Sequence, residues 1–284
     1  MKLLVFGRTG QVARELLRVA PDAIYLGRDE VDLQVPRSCG AAIRATSPDA
    51  VINAAAWTAV DKAESEEEAA MVVNSLAPEV MAKTCTDLGI PLLHLSSDYV
   101  FDGTGTRPWN PTDKTAPLSA YGRTKLAGEQ AVLGAEGRHL VLRTSWIFSA
   151  HGTNFVKTML RLGAERPSLR VVADQIGGPT PAADIAATLV KLAESMRGGA
   201  VGGIQHYSGE PEISWAGFSR TIFEMAEMPV TVEDIDTADY PTPARRPLNS
   251  RLDCSQLRAD FSISPPDWQT GLAEVLADLK DNRK

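Results

Sequence analysis

The sequence predicts an α/β protein with a Rossmann-like, doubly wound parallel sheet and a smaller C-terminal domain. Short apolar runs alternate with amphipathic, helix-like stretches through about the first 150 residues. A glycine turn follows the first apolar run, and small or polar residues end the later ones. Ligands of such sheets bind at the carboxyl ends of the strands, so these residues are candidates for a binding site.

The first strand–helix unit carries a predicted dinucleotide site. Leu3–Phe6 reads as a buried strand, and apolar residues at helical spacing follow from Ala13. Two glycines between them permit a tight turn and close approach of the backbone to a ligand. The amides that open the helix then face a diphosphate. The predicted contacts are Gly7, Arg8, Thr9, Gly10, Gln11 and Val12.

The end of the second predicted strand, 23–26, bears on the choice of cofactor. A carboxylate near this strand end usually holds the ribose 2′-hydroxyl, whereas an arginine accommodates a 2′-phosphate. Both types follow, as Arg28 and Asp29. Because Arg28 comes first we expect NADPH, with NADH as the alternative. Asp32 and Leu33 are placed at the adenine end.

A third strand is predicted at 50–53, followed by Ala54, Ala55 and Ala56, whose small side chains let backbone lie against a flat cofactor. Asp61 and Glu64 have the spacing of a capping box, which predicts a helix start there. A further helix is expected over 78–88, with Gly89 as its C-cap.

The fourth strand, 92–97, leads to the predicted catalytic residues. It ends in Ser97, and Tyr121 and Lys125 follow at the start of a helix over 121–133. Residues four apart lie on one helical face, so both side chains can enter one cleft. An ammonium beside a phenol is expected to lower the pKa of the tyrosine. A phenol that donates a proton, with a serine hydroxyl that holds a carbonyl oxygen, suits the reduction of a ketone.

The remaining elements divide the chain at about residue 150. A fifth strand, 139–144, leads to Trp146, and a further strand is expected at 169–172. Helices are predicted at 153–165, 182–196, 214–226 and 267–279, with loops at 174–180 and 241–251 and a glycine-rich connector at 198–203. We expect residues 1–150 to form the NADP(H)-binding domain, with the helix 182–196 returning to it. Residues 151–284 are expected to form the smaller domain.

Composition excludes several classes of function. The net charge of −7 argues against a nucleic-acid surface. No apolar run approaches the roughly 20 residues of a membrane span. The apolar run at residues 3–6 is shorter than that of a typical signal peptide. The three cysteines lack metal-ligand spacing. We therefore expect a cytoplasmic protein that contacts neither nucleic acid nor membrane.

Several longer motifs together resemble one family. They are Gly7-x-x-Gly10-Gln11, the run from Asn53 to Glu64, Ser96-Ser97-Asp98-Tyr99 through Gly103, Tyr121-Gly-x-x-Lys125-x-x-Gly-Glu129, Arg143-Thr-Ser-Trp146, Asn154-Phe155-Val, Asp174 to Thr180, and Ala244 to Leu252. With them the chain resembles the dTDP-4-dehydrorhamnose reductases, sugar-nucleotide enzymes of the extended short-chain dehydrogenase/reductase type. The resemblance covers nearly the whole chain.

The resemblance implies NADPH-dependent reduction of dTDP-4-dehydro-6-deoxy-L-mannose to dTDP-L-rhamnose, the last step of that pathway. It implies that Ser97, Tyr121 and Lys125 are the catalytic triad, with Ser97 where many relatives carry threonine. Tyr121 and Lys125 would also contact the cofactor. The loops 175–180 and 244–251 would face the nucleotide diphosphate. The substrate side would comprise Thr58, Val60, Ser97, Asp98, Tyr99, Tyr121, Trp146, Asn154 and Arg246.

The resemblance also bears on metal binding and on the oligomeric state. Some members are dimers bridged by Mg²⁺ through glutamates, and Glu15 matches one of these positions. Ala183 stands where a second carboxylate is expected. We therefore predict no definite metal site, and either a monomer or a homodimer.

Two alternatives share these motifs. A related epimerase or dehydratase would use the same cofactor and the same tyrosine–lysine pair, and Asp98 could serve as the additional acid of a dehydratase. A non-catalytic regulatory subunit would bind cofactor without turnover, although the intact catalytic set argues against it.

Overall fold

The computed structural model describes residues 1–281 and centres on a six-stranded parallel sheet. The strand order is β10-β5-β4-β3-β1-β2, with every neighbouring pair parallel. The strands are β1 (Leu3–Phe6), β2 (Ile24–Leu26), β3 (Ala50–Asn53), β4 (Leu92–Ser97), β5 (His139–Thr144) and β10 (Gly203–His206). The chain winds one way from β1 to β2 and the other way from β3 onward. The predicted doubly wound fold is therefore confirmed.

Helices cover both faces of this sheet. The helices of the first half are α1 (Gln11–Val19), α2 (Pro36–Thr46), α3 (Val60–Ala63), α4 (Glu67–Met71), α5 (Ala77–Leu88) and α6 (Ala120–Leu133). Helix α1 and α8 (Ala182–Arg197) share one apolar core with the sheet, while α2, α5 and α6 form the core on the opposite face. Residues buried on both faces explain why the strands read as continuous apolar runs.

A separate apolar core lies in the second half of the chain. Phe148, Phe218 and Trp268 are fully buried in it. Its helices are α7 (Phe155–Glu165), α9 (Trp215–Met225) and α11 (Trp268–Asp281), and α10 (Ser255–Phe261) packs near β10. Its short strands are β6 (Ile147–Phe148), β7 (Ser168–Val172), β8 (Ile176–Gly177), β9 (Thr180–Pro181), β11 (Ile213–Ser214), β12 (Thr231–Ile235) and β13 (Asn249–Ser250).

Three segments predicted to be irregular contain strands, one of them being the loop 241–251, which contains β13. The connector at 198–203 runs into β10, which pairs with β5 and completes the sheet. The loop 174–180 contains β8, which pairs with both β11 and β13. The short strands β1 and β3 were recognised as continuous apolar runs, whereas these segments contain no such run, and their partners decide the conformation.

The predicted capping box at Asp61 and Glu64 is wrong. Asp61 lies inside α3, whose N-cap is Ala59. The Asp61 carboxylate instead pairs with Arg246, 2.7 Å away. Glu64 Oε1 accepts a hydrogen bond from the amide of Ala120 (2.8 Å), across the fold. Tertiary partners therefore take both carboxylates away from the local cap.

A buried ion pair fixes α6 against the sheet. Arg143 on β5 donates from Nε (2.8 Å) and Nη2 (2.6 Å) to the two carboxylate oxygens of Glu129 on α6. Both side chains are 2% exposed, and such a bidentate pair imposes one orientation.

Over residues 1–281, no helix combines the length and the apolar character required to cross a bilayer.

Candidate functional site: the carboxyl edge of the parallel sheet

The direction of winding reverses between β1 and β3, and their ends form a crevice. Gly7 follows β1 with φ of +113°, a conformation that favours glycine. A Cβ at Gly7 would lie 3.3 Å from the carbonyl carbon of Ala54 and 3.4 Å from the amide of Ala55. Small residues on both sides thus bring backbone to the position where dinucleotides bind in such sheets.

The amino end of α1 opens onto the same crevice. Its N-cap is Gly10, which has no side chain that could accept a hydrogen bond from the first amides of the helix. A Cβ built on Gly10 would meet nothing within 4 Å in the described structure, so there is room above the turn. Residues Gly7 to Val12 therefore fit a diphosphate, whose oxygens the first amides of α1 would bind.

Charged side chains surround the end of β2. Arg8 Nη1 lies 3.1 Å from Glu30 Oε2, and the same oxygen accepts a bond from the amide of Gly27 (2.9 Å). Arg28 Nε lies 3.4 Å from Asp32 Oδ2, and the Arg28 side chain is 81% exposed. Leu33 is buried in the core beneath them. Two arginines, each beside a carboxylate, thus lie near the strand end at which such folds bind the adenosine ribose.

Ser97 and Asp98 stand where β4 ends. Ser97 Oγ donates to Asp98 Oδ1 (2.9 Å) and accepts from the amide of Tyr99 (3.2 Å). Asp98 is 2% exposed, and its Oδ2 makes no hydrogen bond within residues 1–281. Burial raises the pKa of Asp98 to about 6, against the opposing effects of the Ser250 and Ser97 hydroxyls.

Helix α6 brings Tyr121 and Lys125 to this edge. Ser119 caps the helix by accepting from the amide of Gly122 (3.2 Å). A Cβ at Gly122 would overlap the carbonyl oxygen of Tyr99, so glycine lets the helix approach closely. The rings of Tyr121 and Tyr99 meet edge to face with centroids 5.4 Å apart. Lys125 is 2% exposed, and its Nζ donates to the carbonyl oxygen of Leu95 on β4 (2.7 Å).

The predicted lowering of the tyrosine pKa is wrong for this structure. Burial raises the pKa of Tyr121 to about 12, and the nearby Asp98 carboxylate raises it further while Ser97 opposes the shift. Burial lowers the pKa of Lys125 to about 8, with Glu129 opposing. Desolvation is the largest influence on the pKa of Tyr121, and the Lys125 ammonium is bonded to the strand. Tyr121 is therefore protonated at neutral pH and able to donate a proton.

A cleft of about 760 Å³ adjoins this site. Tyr99, Asp61 and Arg246 line one side, and Phe155 and Trp215 line another. The Trp215 ring stacks on Trp146, with centroids 3.5 Å apart, and Trp146 has φ of +48°. Arginine beside aromatic rings suits a ligand that combines phosphate groups with a flat base.

The other predicted substrate residues have mixed positions. Thr58 is exposed on the segment between β3 and α3, and Val60 is half-buried at the first position of α3. Asn154 lies at the start of α7, where its Nδ2 donates to Gln11 Oε1 (2.8 Å). The two loops implied to face the diphosphate run side by side, because β8 pairs with β13.

Several residues at the site were not predicted. Asn74 is buried in a π-helical segment, Val72–Leu76, and binds the backbone of Trp57 through Oδ1 (2.8 Å) and Nδ2 (3.2 Å). It thereby holds the segment that carries Thr58. Ser250 belongs to the predicted loop 244–251, but its position beside Asp98 was not predicted. No local pattern marks Asn74 or predicts the contact between Ser250 and Asp98, whereas Trp215 starts a helix that the amphipathic pattern did predict.

Glu15, the weak metal candidate, is engaged with neighbours. It is 5% exposed, bonds Arg18 at 3.0 Å and lies 3.6 Å from His151 Nε2. Within residues 1–281, no three His, Cys, Asp or Glu side chains are grouped as a metal site requires.

Comparison with known proteins identifies the family. The family model described as the RmlD substrate binding domain matches residues 1–281. A dTDP-4-dehydrorhamnose reductase of Sinorhizobium fredii is 45% identical, with 95% of this chain and 94% of the relative covered. That of Escherichia coli K12 is 41% identical, with 98% of each covered.

Solved structures of two reductases align with this chain over nearly its whole length. The Clostridium acetobutylicum reductase aligns with a TM-score of 0.93 at 32% identity, over 99% of this chain and 100% of that one. The Bacillus anthracis reductase, solved in complex with NADP, aligns with a TM-score of 0.92 at 33% identity, over 98% and 100%. This chain, with its crevice at Gly7 and its loop beside Ser250, therefore belongs to the dTDP-4-dehydrorhamnose reductase family.

Proposed function

We propose that this chain is an NADPH-dependent oxidoreductase that reduces the C4 ketone of dTDP-4-dehydro-6-deoxy-L-mannose to dTDP-L-rhamnose, the last step of dTDP-rhamnose formation. The observation that carries the proposal is the meeting of Ser97, Tyr121 and Lys125 at the sheet edge that also bears the glycine turn. The Bacillus anthracis relative with bound NADP supports the choice of cofactor.

The proposed cofactor site follows the crevice. Residues Gly7 to Val12 would hold the diphosphate, and Ala54, Ala55 and Ala56 would line the adjoining backbone. Arg28, Asp32 and Leu33 would lie at the adenosine end. The dihydronicotinamide, when bound, supplies the hydride that C4 accepts.

Within the chain, each catalytic residue has a distinct proposed role. Ser97 would hold the ketone oxygen by a hydrogen bond, which orients C4. Tyr121 would give its phenolic proton to that oxygen as the C–H bond forms, so that hydride and proton together convert the ketone to a hydroxyl. Lys125 would bind the nicotinamide ribose and stabilise the tyrosinate left behind.

Substrate recognition is assigned to the cleft. We propose that Thr58, Val60, Asp98, Tyr99 and Trp146 line the sugar. Arg246, with the loops 175–180 and 244–251, would hold the diphosphate. Residues 1–150 with α8 would act as the cofactor domain, and most of the remainder as the substrate domain. The enzyme is proposed to work in the cytoplasm on a diffusing dTDP-sugar, as a monomer or homodimer.

The test is direct. Purified protein is mixed with NADPH and the 4-keto sugar nucleotide, and absorbance at the nicotinamide band is followed while the product is identified by mass spectrometry. We expect NADPH to be consumed in a one-to-one ratio with dTDP-L-rhamnose. A dehydratase would leave NADPH unchanged, and a regulatory subunit would bind it without turnover; either result would reject the proposal.

A further inference from the structure

The side chain of Gln11 turns away from the glycine turn that precedes it. Gln11 is the first residue of α1, directly after Gly10. Its Oε1 accepts two hydrogen bonds from the second half of the chain, from Asn154 Nδ2 (2.8 Å) and from Ser149 Oγ (3.0 Å). A residue of the proposed diphosphate turn is thus tied to a segment 138 to 143 positions away.

Asn154 is fully occupied by this connection and by its own helix. Its Oδ1 caps α7 by accepting from the amide of Lys157 (3.1 Å). Its Nδ2 also donates to the carbonyl oxygen of Ser149 (2.8 Å). Ser149 is 1% exposed, and Gln11 and Asn154 are half-buried, so these bonds are partly shielded from solvent. The side-chain amide of Asn154 therefore connects Gln11 to the first turn of α7, and we call this connection the joint.

The joint leads to the wall of the substrate cleft. Phe155 directly follows Asn154 and lines the cleft. Its ring contacts Trp215 with centroids 4.3 Å apart, and Trp215 stacks on Trp146. A shift at the amino end of α7 would therefore move the aromatic wall that faces the nucleotide.

We propose that the Gln11–Asn154 hydrogen bond couples the two ligand sites. A dinucleotide that binds the amides at the start of α1 would hold Gln11 and, through Asn154, the aromatic wall in the arrangement that receives the dTDP moiety. By reciprocity, the dTDP moiety would raise the affinity for the dinucleotide by the same factor. Asn154 is then a positioning residue. This inference rests on the proposed function, because it takes both ligands from it.

The experiment measures coupling in the absence of chemistry. The affinity for dTDP is determined by calorimetry with and without saturating NADP⁺; dTDP lacks the sugar, which removes the part of the substrate closest to the nicotinamide. For the unaltered chain we expect NADP⁺ to tighten dTDP binding about fivefold or more, the lower range of measured allosteric couplings.

Two variants cut the joint from opposite sides. Asn154→Ser keeps a good N-cap but is too short to reach Gln11. Gln11→Met keeps the length of the side chain and removes the acceptor. In each, the coupling factor should fall to about one, and the double variant should show no further loss. Gln130→Met, at an exposed site on α6, is the matched control and should keep the full coupling.

The outcomes separate the two proposals. Failure of dTDP to bind at all would overturn the proposed function and this inference with it. Ligands that bind the unaltered chain independently, or coupling that survives in Asn154→Ser, would overturn the inference alone. Ser149→Ala removes one of the two hydrogen bonds to Gln11 and leaves the Asn154 cap of α7 intact, so it should also lower the coupling factor.

Discussion

At the scale of single residues, Tyr121 is the group whose removal tests the chemistry. With a pKa of about 12 it is protonated at neutral pH, and Tyr121→Phe removes one oxygen with little change in packing. We expect turnover to fall by about 10²–10⁴, the usual contribution of general acid catalysis, while the affinity for NADP⁺ barely changes. Steady-state kinetics and calorimetry measure both. Tyr25→Phe, on β2 and outside the residues assigned to the site, is the control, and turnover near the original rate in Tyr121→Phe would remove Tyr121 from the mechanism.

Asp98 links the site to stability. Its pKa rises from 3.8 to about 6 on folding, so the folded protein binds the additional proton. The resulting stability is present at low pH and is lost as the pH rises from about 4 to about 6. Asp98→Asn should therefore increase the free energy of unfolding by up to about 3 kcal/mol at pH 8 and by about half as much at pH 5.

Urea unfolding at the two pH values measures this effect, with exposed Asp22→Asn as the matched control. Turnover should fall in Asp98→Asn although stability rises, because the carboxylate is proposed to contact the sugar. Equal stability changes at both pH values would contradict the buried charge as their cause.

Arg28 tests the choice of cofactor. It is exposed beside Asp32 and free to turn toward a 2′-phosphate. Arg28→Ala should raise the Michaelis constant for NADPH by about tenfold or more, since a charge-assisted bond contributes about 1.5–3 kcal/mol, and leave that for NADH nearly unchanged. Arg44→Ala is the exposed control. If both cofactors weaken equally in Arg28→Ala, Arg28 does not discriminate between them.

At the scale of elements, α6 depends on close backbone contact. A Cβ at Gly128 would overlap the carbonyl oxygen of Asn74 in the π-helical segment, and backbone cannot move aside as a flexible side chain can. Gly128→Ala should destabilise the protein by about 1–3 kcal/mol and reduce turnover, because α6 carries Tyr121 and Lys125. Urea unfolding checks the first effect and kinetics the second. Gln130→Ala, exposed on the same helix, should change neither; unchanged stability in Gly128→Ala would show that the helices separate easily.

At the scale of the whole molecule, the contact between Arg246 and Asp61 joins the two parts of the chain. The carboxylate is 44% exposed, so the pair contributes at most about 1 kcal/mol and a diphosphate can replace it. Arg246→Ala should weaken dTDP binding about tenfold and reduce its dependence on salt, with NADPH affinity unchanged. Titrations of dTDP at two salt concentrations measure this, with Arg197→Ala, exposed at the end of α8 and outside the proposed site, as the matched control. Identical affinities would mean that Arg246 does not hold the nucleotide.

The sequence by itself determined the features that depend on neighbours along the chain. The strands and helices of the first 150 residues, the glycine turn and the one-turn spacing of Tyr121 and Lys125 are local, and periodicity and backbone sterics suffice to predict them. The parallel sheet follows, because strand–helix alternation leaves few other packings.

Only the tertiary structure decided what depends on distant partners. Gly203–His206 is a strand because β5 lies beside it, and Asp61 leaves its predicted cap for Arg246, 185 positions away. The pKa of Tyr121 rises because burial removes water from the phenol, while Leu95 accepts the Lys125 ammonium. From the sequence, Gln11 was assigned to the diphosphate turn and Asn154 to the substrate, and only the fold shows that their side chains form a hydrogen bond. In each case the energy comes from desolvation or from a contact across the fold, and neither is a property of a short stretch of sequence.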